Sequence, residues 1–301
     1  DDDGAFYMTT VAMGPATPIT YAMANFTDFY DVVKIADVRQ EEEDDEEYNV
    51  RQLKYMTDSQ FNATYVAFNR AGLDYQITYK GLYVLNVLAK GAADGVLKPG
   101  DEIVEADGQR IMSLETFRDI ITPKTKGDQI RLVVKRNDKL IDETLAIKEI
   151  PGGDGRYGIG ITYSESKSIK TDPKVTVKTE DIGGPSAGLM FTLELLNQLI
   201  DEDITKGYEI AGTGEMLEDG TVGRIGGIEK KIVSADKEGI AIFFAPDDEL
   251  TEAMLEYNPN IESNYETARK TAEKIKTDMK VVPVKTIDDA LDYLEALQPK
   301  N

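Results

Sequence analysis

Neither cysteine nor histidine occurs anywhere in this 301-residue sequence. That closes off disulfide frameworks and the usual nitrogen–sulfur zinc sites as ways of holding a fold together. It also removes thiol nucleophiles and every Ser-His-Asp arrangement. Any chemistry falls to Ser, Thr, Lys, Tyr or carboxylates, and the reading assigns no metal and no cofactor. With 41% hydrophobic residues the chain can build real cores. Its length suits about two domains, or three if one is small. Thirty-four basic against fifty-six acidic side chains leave a net charge of −22, which repels phosphate backbones and makes nucleic acid a poor partner. The acidic run 41–47 reads as a solvated loop. No stretch approaches the ~18 apolar residues of a membrane span. The sequence opens on Asp1 rather than Met, which reads as a processed or trimmed product with any signal or anchor upstream.

Aromatic and β-branched content predicts a strand over 4–13, ended by Gly14-Pro15, and a mixed apolar segment follows over 20–38. Apolar spacing at Val50, Leu53, Met56, Tyr65, Val66 and Phe68 predicts one or two amphipathic helices across 48–71. From about residue 78 the texture becomes strand-rich. Gly81–Leu88 and Glu102–Ala106 read as strands among the turns Asp94-Gly95, Pro99-Gly100 and Asp107-Gly108. Ser113 caps a helix over 114–121, and strands over 129–136 and 140–148 flank the turn Asn137-Asp138. The Gly-Leu-Tyr-Val strand entry, the Leu97-x-x-Gly100-Asp101-x-Ile103 segment and Asp107-Gly108 make residues 78–150 resemble a PDZ domain. Such domains bind peptides by adding a strand to a sheet edge. The resemblance implies a groove along Gly81–Val87, with Gly81, Leu82, Tyr83 and Val84 facing Leu114 and Phe117 on the helix.

Residues 151–158 read as a glycine-rich linker. Beyond them, strands over 159–163, 174–178, 208–212, 241–245 and 280–284 alternate with helices over 186–200, 228–238, 248–256, 263–276 and 287–297. The expected fold class is therefore α+β and multidomain. An N-terminal α/β segment (1–77) precedes the PDZ-like β-rich domain (78–150), and an α/β domain (151–301) completes the chain.

Gly184-Pro185-Ser186-Ala187-Gly188 sets a serine among small residues at a helix start, where backbone N–H groups can stabilise an oxyanion. By itself the pentapeptide reads either as a helix terminus without chemistry or as a serine activated by a base other than histidine. After Gly226-Gly227, helical spacing clusters Ile228, Ile232 and Ala235 on one face, with Lys231 at its edge and Lys230 and Lys237 nearly opposite. That lysine either snorkels to water or stays inside. In the second case desolvation lowers its pKa and supplies a neutral amine as base. Ser186 with such a lysine is a complete nucleophile–base pair.

The ordered motifs Gly183–Gly188, Thr213-Gly214-Glu215 and Gly220-x-Val222-x-x-Ile225-Gly226-Gly227-Ile228-x-x-Lys231 closely resemble the proteolytic domain of Lon proteases, over about 170–298. The resemblance implies Ser186 as nucleophile, Lys231 as general base, and Thr213 as the hydroxyl that orients the lysine. Gly184, Pro185 and Ala187 then form the nucleophile and oxyanion loop. With the PDZ-like stretch in front, the chain is similar to the membrane-anchored PDZ–Lon serine proteases of Gram-positive bacteria. That implies an ATP-independent endopeptidase acting on exported or membrane-proximal peptides and proteins. It also implies a single-pass anchor ahead of residues 1–77, an extracytoplasmic catalytic domain and room for a homo-oligomer. Two departures stand out. Gly183 occupies the place where many ATP-dependent Lon enzymes carry Asp, and the sequence contains no G-x-x-x-x-G-K-[ST] phosphate loop. A non-catalytic PDZ scaffold with a Lon-like assembly domain is the main rival, and a small-ester hydrolase on the same dyad is a third reading.

Overall fold

The structure is a computed structural model that describes residues 4–24, 26–27, 30–40, 43–179 and 182–300. The chain divides into two compact units. One comprises residues 1–34, 56–75 and 171–301, the other residues 35–55 and 76–170.

The first unit is built on a four-stranded, all-parallel sheet in the order Ala5–Met8, Glu209–Gly212, Ile242–Pro246, Lys280–Val284. A parallel sheet needs cover on both faces, so its central strands read as continuous apolar runs, and every residue of Ile242–Pro246 is buried. On one face Ile210, Ile242, Phe244 and Val282 pack against Leu189, Met190 and Leu193 of the helix Gly188–Leu199 and against Ile287, Ala290 and Leu294 of Ile287–Ala296. On the other, Ala211, Phe243 and Ala245 meet Ile228, Ile232 and Ala235 of Ile228–Lys237 and Ala268 and Ala272 of Asn264–Ile275. The helix starts follow from their caps. Ser263 accepts from the Glu266 N–H, and Thr286 with Asp289 closes a reciprocal capping box.

The N-terminal segment is not a separate domain. Its strand is shorter than expected, Ala5–Met8, and adds to the edge of this parallel sheet with Phe6 opposite Ile210 and Met8 opposite Gly212. A four-residue apolar strand has no sheet of its own to join, and partial burial of Phe6 and Met8 on the larger core decides its place. No strand forms at 174–178 among the described residues. Val175 and Val177 instead pack as irregular chain near Ala63, Ala67, Leu195 and Leu196.

The second unit carries a six-stranded sheet. Its main order is Lys139–Ala146, Gln129–Arg136, Glu102–Ala106, Tyr75–Val87, Ile161–Thr171, and Gln109–Arg110 pairs Glu102–Ala106. Leu82, Val84, Ile103, Ile130, Leu132 and Val134 form the core with Phe117. The helix Leu114–Ile121 starts as its sequence requires, with Ser113 accepting from the Thr116 N–H. Asn137 and Asp138 both take left-handed backbone (φ 49° and 61°), the two-residue hairpin geometry that matches strand twist. The predicted boundary at residue 150 is displaced. Lys148–Glu149 pairs with Tyr157–Gly158 across the glycine-rich stretch, and the next strand, Ile161–Thr171, belongs to this sheet rather than to the C-terminal α/β domain. Pairing satisfies one edge of Tyr75–Val87, and Ile161 and Tyr163 gain partial burial on the core.

The acidic run is also more than a loop. A single helix, Asp45–Ala71, begins inside it, with Asp44 and Glu47 each accepting the other's backbone N–H at 2.8 and 3.0 Å. Asp45, Glu46 and Glu47 sit in the first turn, where the helix dipole favours negative charge. Glu43 is buried, 7% exposed, against Arg51 through two 2.6 Å bonds. Residues 41 and 42 lie outside the described residues. Among the described residues no helix is long and apolar enough to cross a membrane.

The Glu43–Arg51 pair yields a stability prediction. The bonds from Arg51 hold the Glu43 carboxyl below its usual range, against the opposing effect of burial. A depressed folded pKa contributes stability that is present above the unfolded value and lost as pH falls through the folded one. Glu43→Gln strands a buried guanidinium and should cost about 3 kcal/mol at pH 7. Urea titrations from pH 7 down to 3 should show the gap to the parent narrowing in acid.

Candidate active site

Ser186 lies in the loop that enters the helix Gly188–Leu199, one residue before its N-cap Ala187. Gly184 takes left-handed backbone (φ 86°) to turn the chain into this loop. Two further contacts fix the loop from outside. The Gly214 N–H donates to the Ser186 carbonyl at 2.9 Å, and the buried Ser59 hydroxyl donates to the Pro185 carbonyl at 3.1 Å. Gly188 permits the close approach. A Cβ there would lie 2.6 Å from the Met216 nitrogen and 2.9 Å from Ser59 Oγ. Ser186 itself is half-buried, and among the described residues its N–H enters no hydrogen bond.

Lys231 comes from the helix Ile228–Lys237, whose N-cap Gly227 is left-handed (φ 70°). It shares the buried face with Ile228, Ile232 and Ala235 and is 2% exposed. Its Nζ donates to Ser186 Oγ at 3.1 Å and to the Thr9 carbonyl at 2.6 Å. Burial pushes its pKa down to about 8. Lys230 points elsewhere and pairs with Asp31. The family resemblance paired Ser186 with Lys231, and the fold brings them into hydrogen-bond contact.

Thr213 is placed in the same site with a different task from the expected one. It is fully buried, and its hydroxyl donates to the Ser186 carbonyl at 2.9 Å, so it braces the nucleophile loop. The second partner of the amine is the Thr9 carbonyl, just past the strand Ala5–Met8. A backbone acceptor leaves no side-chain signature, so sequence reasoning had nothing from which to find it. Ser59 was missed for a similar reason, being one small polar residue on a long amphipathic helix. Glu215, after Thr213-Gly214, has its carboxyl pushed up, first by burial and then by Asp58.

The expected peptide groove is relocated. Leu82 and Val84 are fully buried core residues, and Gly81 abuts the opposite strand, where a Cβ would lie 2.3 Å from the Ile103 carbonyl oxygen. Both edges of Tyr75–Val87 are already paired, with Glu102–Ala106 and with Ile161–Thr171, so Gly81, Leu82, Tyr83 and Val84 offer no edge to a peptide. Leu114 and Phe117 belong instead beside Ile161–Thr171, the terminal strand of the sheet. Phe117 packs edge-on against Tyr163 at 5.9 Å. The loop leading into that strand is Gly158-Ile159-Gly160-Ile161, pinned by bonds from the Leu88 and Ala93 N–H groups to the carbonyls of Gly160 and Ile159. The sequence reading divided this stretch, ending the linker at Gly158 and giving Ile159, Gly160 and Ile161 to a strand of the following domain.

Comparison with known proteins agrees with these two halves. Residues 59–147 match the PDZ domain family, and residues 173–297 match the Lon protease (S16) C-terminal proteolytic domain. The chain is 26% identical over 174 residues to a Lon protease of Metamycoplasma arthritidis, covering 57% of this chain and 18% of the relative. It is 31% identical over 108 residues to a Lon protease of Campylobacter concisus, covering 36% of this chain and 11% of that protein. The chain thus spans less than a fifth of these two relatives. Among solved structures, the PDZ domain of an SdrC-like protein from Listeria monocytogenes is 36% identical, with a TM-score of 0.28, covering 29% of this chain and 92% of that one.

Removing the buried amine tests its electrostatic state without any substrate. With a folded pKa of about 8 against ~10.4 unfolded, the unfolded chain binds more protons. The burial penalty is therefore full below pH 8 and shrinks as pH rises toward 10.4, and it is worth roughly 3 kcal/mol. Lys231→Met should raise the melting temperature at pH 7, less whatever is lost at the Ser186 and Thr9 oxygens. A scan from pH 7 to 10.5 should show that advantage fading. A variant less stable than the parent at pH 7 would mean a solvated or ion-paired lysine.

The chain therefore carries a PDZ-like β domain followed by a stretch that matches the Lon protease C-terminal proteolytic domain.

Proposed function

We propose that the chain is a serine endopeptidase working through a Ser186–Lys231 dyad. The observation that carries this reading is the 3.1 Å contact between Ser186 Oγ and a buried amine whose pKa burial lowers to about 8. At neutral pH roughly a tenth of such amines are uncharged, enough to act as a base. Ser186 Oγ attacks the scissile carbonyl carbon while its proton passes to Lys231 Nζ. The Ser186 N–H, at the helix entry, faces the developing oxyanion. Lys231 then gives the proton to the leaving amine, and an acyl-enzyme remains on Ser186. Water attacks that ester, losing its proton to Lys231, which returns it to Ser186 as the acid product leaves. Thr9 holds the amine and Thr213 holds the loop. These steps consume no nucleotide, so ATP should leave the rate unchanged.

The PDZ domain supplies a second contact for peptide or protein substrates. A bound segment would extend the sheet along Ile161–Ser164, its chain end taken by the Gly158–Ile161 amides and its side chain set against Leu114. The membrane setting rests on sequence resemblance alone. A scaffold without catalysis would have no use for a desolvated lysine bonded to a serine.

Two measurements test this function. Ser186→Ala should retain the parent's melting temperature within a few degrees and lower peptide cleavage by at least about a thousandfold. The parent's kcat should climb with pH through about 8, as the amine deprotonates. Undiminished cleavage by the alanine variant, or a rate flat from pH 6 to 9, would reject the dyad.

For the PDZ contact, Leu114→Glu should raise KM severalfold for a protein substrate with a free apolar C-terminus. On a short internally quenched peptide it should leave kcat/KM unchanged. Equal losses on both substrates would assign Leu114 to folding alone.

A further inference from the structure

A buried hydroxyl on a helix usually bonds within that helix, to the carbonyl one turn back. Thr64, Thr192 and Thr271 follow the rule, each donating to the carbonyl four residues before it at 2.7 to 2.8 Å. Ser59 does not. It lies 2% exposed in the buried stripe of Met56, Ala63, Val66 and Ala67 on the helix Asp45–Ala71. Its hydroxyl leaves the helix and donates to the Pro185 carbonyl at 3.1 Å, 126 residues further along the chain. A burial this complete costs free energy unless the hydroxyl is bonded, so the Pro185 carbonyl is the partner that justifies a serine among apolar neighbours.

That carbonyl is one half of a peptide plane whose other half is the Ser186 N–H. The Pro185–Ser186 bond is trans, so its C=O and N–H point in opposite directions. The Pro185 carbonyl also accepts from the Gly188 N–H at 3.1 Å. With the carbonyl drawn toward Gly188 and Ser59, the N–H is turned to the opposite side, where among the described residues it has no partner. The next plane is fixed separately, because the Ser186 carbonyl accepts from the Thr213 hydroxyl and the Gly214 N–H, both at 2.9 Å. The proline ring locks φ at residue 185. Its ψ, moving with φ of Ser186, is then the rotation that could swing the first plane over. The Gly188 bond is a local turn within the loop itself. Ser59 adds an anchor from a separate helix, and the rotation has to break both.

We propose that Ser59 is a positioning residue for the oxyanion donor: its bond to the Pro185 carbonyl aims the Ser186 N–H at the carbonyl oxygen of the substrate under attack. This rests on the Ser186–Lys231 reading, and the test separates the two. An oxyanion donor lost outright costs roughly a hundredfold or more in kcat. Ser59→Ala leaves the Gly188 bond in place, so on a short internally quenched peptide kcat should fall about tenfold with KM near the parent's. Alanine suits a helix interior, and the variant should melt within a few degrees of the parent. A peptide boronic acid takes Ser186 Oγ on boron and sets an oxygen of the tetrahedral adduct where the oxyanion forms. Its inhibition constant should rise by the factor that kcat falls, while the same peptide ending in a carboxamide inhibits both proteins equally. The pH at which kcat climbs should stay in place, because Lys231 keeps both of its acceptors. Asn62 is the control, one turn further along the helix, where its side chain donates to the Met216 carbonyl at 2.9 Å. Asn62→Ala removes a bond of the same kind without touching the Pro185 plane and should keep the parent's kcat. A parental kcat in Ser59→Ala, with Ser186→Ala inactive, overturns this proposal and leaves the dyad standing. Cleavage that survives Ser186→Ala overturns both. An equal loss in Asn62→Ala, or a fall in kcat without weaker boronate binding, assigns Ser59 to packing and overturns the proposal. A displaced pH profile does so too, by assigning Ser59 to the amine.

Discussion

The site depends on keeping one amine out of water. Lys231 has two oxygen partners, Ser186 Oγ and the Thr9 carbonyl, and neither carries a charge. A salt bridge would stabilise the ammonium and abolish the base. Full exposure would do the same, because the amine would return to its ordinary pKa. The fold therefore surrounds the side chain with Ile228, Ile232 and Ala235 and meets its hydrogen-bonding needs with neutral acceptors alone. Every element near the site can be read from this condition. The edge strand Ala5–Met8 brings Thr9, the strand Glu209–Gly212 leads to Thr213, and the helix entry presents Ser186.

Much of this was legible in the sequence, and the reasons are specific. The Lys231 helix announced itself through the spacing of Ile228, Ile232 and Ala235, and the helix Leu114–Ile121 through Ser113. Both are local signals, set within one or two turns of chain. The strands at 208–212, 241–245 and 280–284 were visible in the same way, because strands buried on both faces are apolar throughout. What escaped was long-range pairing. The strand Ala5–Met8 finds its partner some two hundred residues later, and Ile161–Thr171 returns to a sheet whose other strands lie before it in sequence. Strand content can be read from residue types, but strand partnership is decided by which edge is open when the domain closes.

The peptide groove shows the cost of missing a partnership. A glycine-led apolar strand such as Gly81–Val87 fits a peptide-binding edge in composition. The same composition also fits a central strand, where Gly81 lets the backbone of Ile103 come close and Leu82 and Val84 fill the core. Only the addition of Ile161–Thr171 separates the two cases, by occupying the edge. The domain boundary and the groove were thus one error, since a strand assigned to the wrong domain hid the edge it covers. The acidic run failed differently. Its charge suggested solvent, but Glu43 found Arg51 and the next residues found a helix N-terminus, where negative charge is favoured.

The distribution of charge completes the account of the lysine. In a chain of net charge −22, a carboxylate near the amine would be expected by chance alone. Two opposite charges 5 Å apart attract by about 3 kcal/mol at an effective dielectric of 20. That is enough to raise the lysine pKa by roughly two units and undo the whole effect of burial. Desolvation is nevertheless the sole influence resolved on Lys231. The charge-free stretch 4–27 supplies the Thr9 carbonyl that meets the amine, and Asp31, the nearest described acid that follows it in sequence, pairs with Lys230 instead. Glu215, in the motif that follows Thr213, is itself pushed toward its neutral form by burial. The neutrality of the N-terminal segment is therefore an electrostatic condition of the base, since the stretch that brings Thr9 to Lys231 carries no charge of its own.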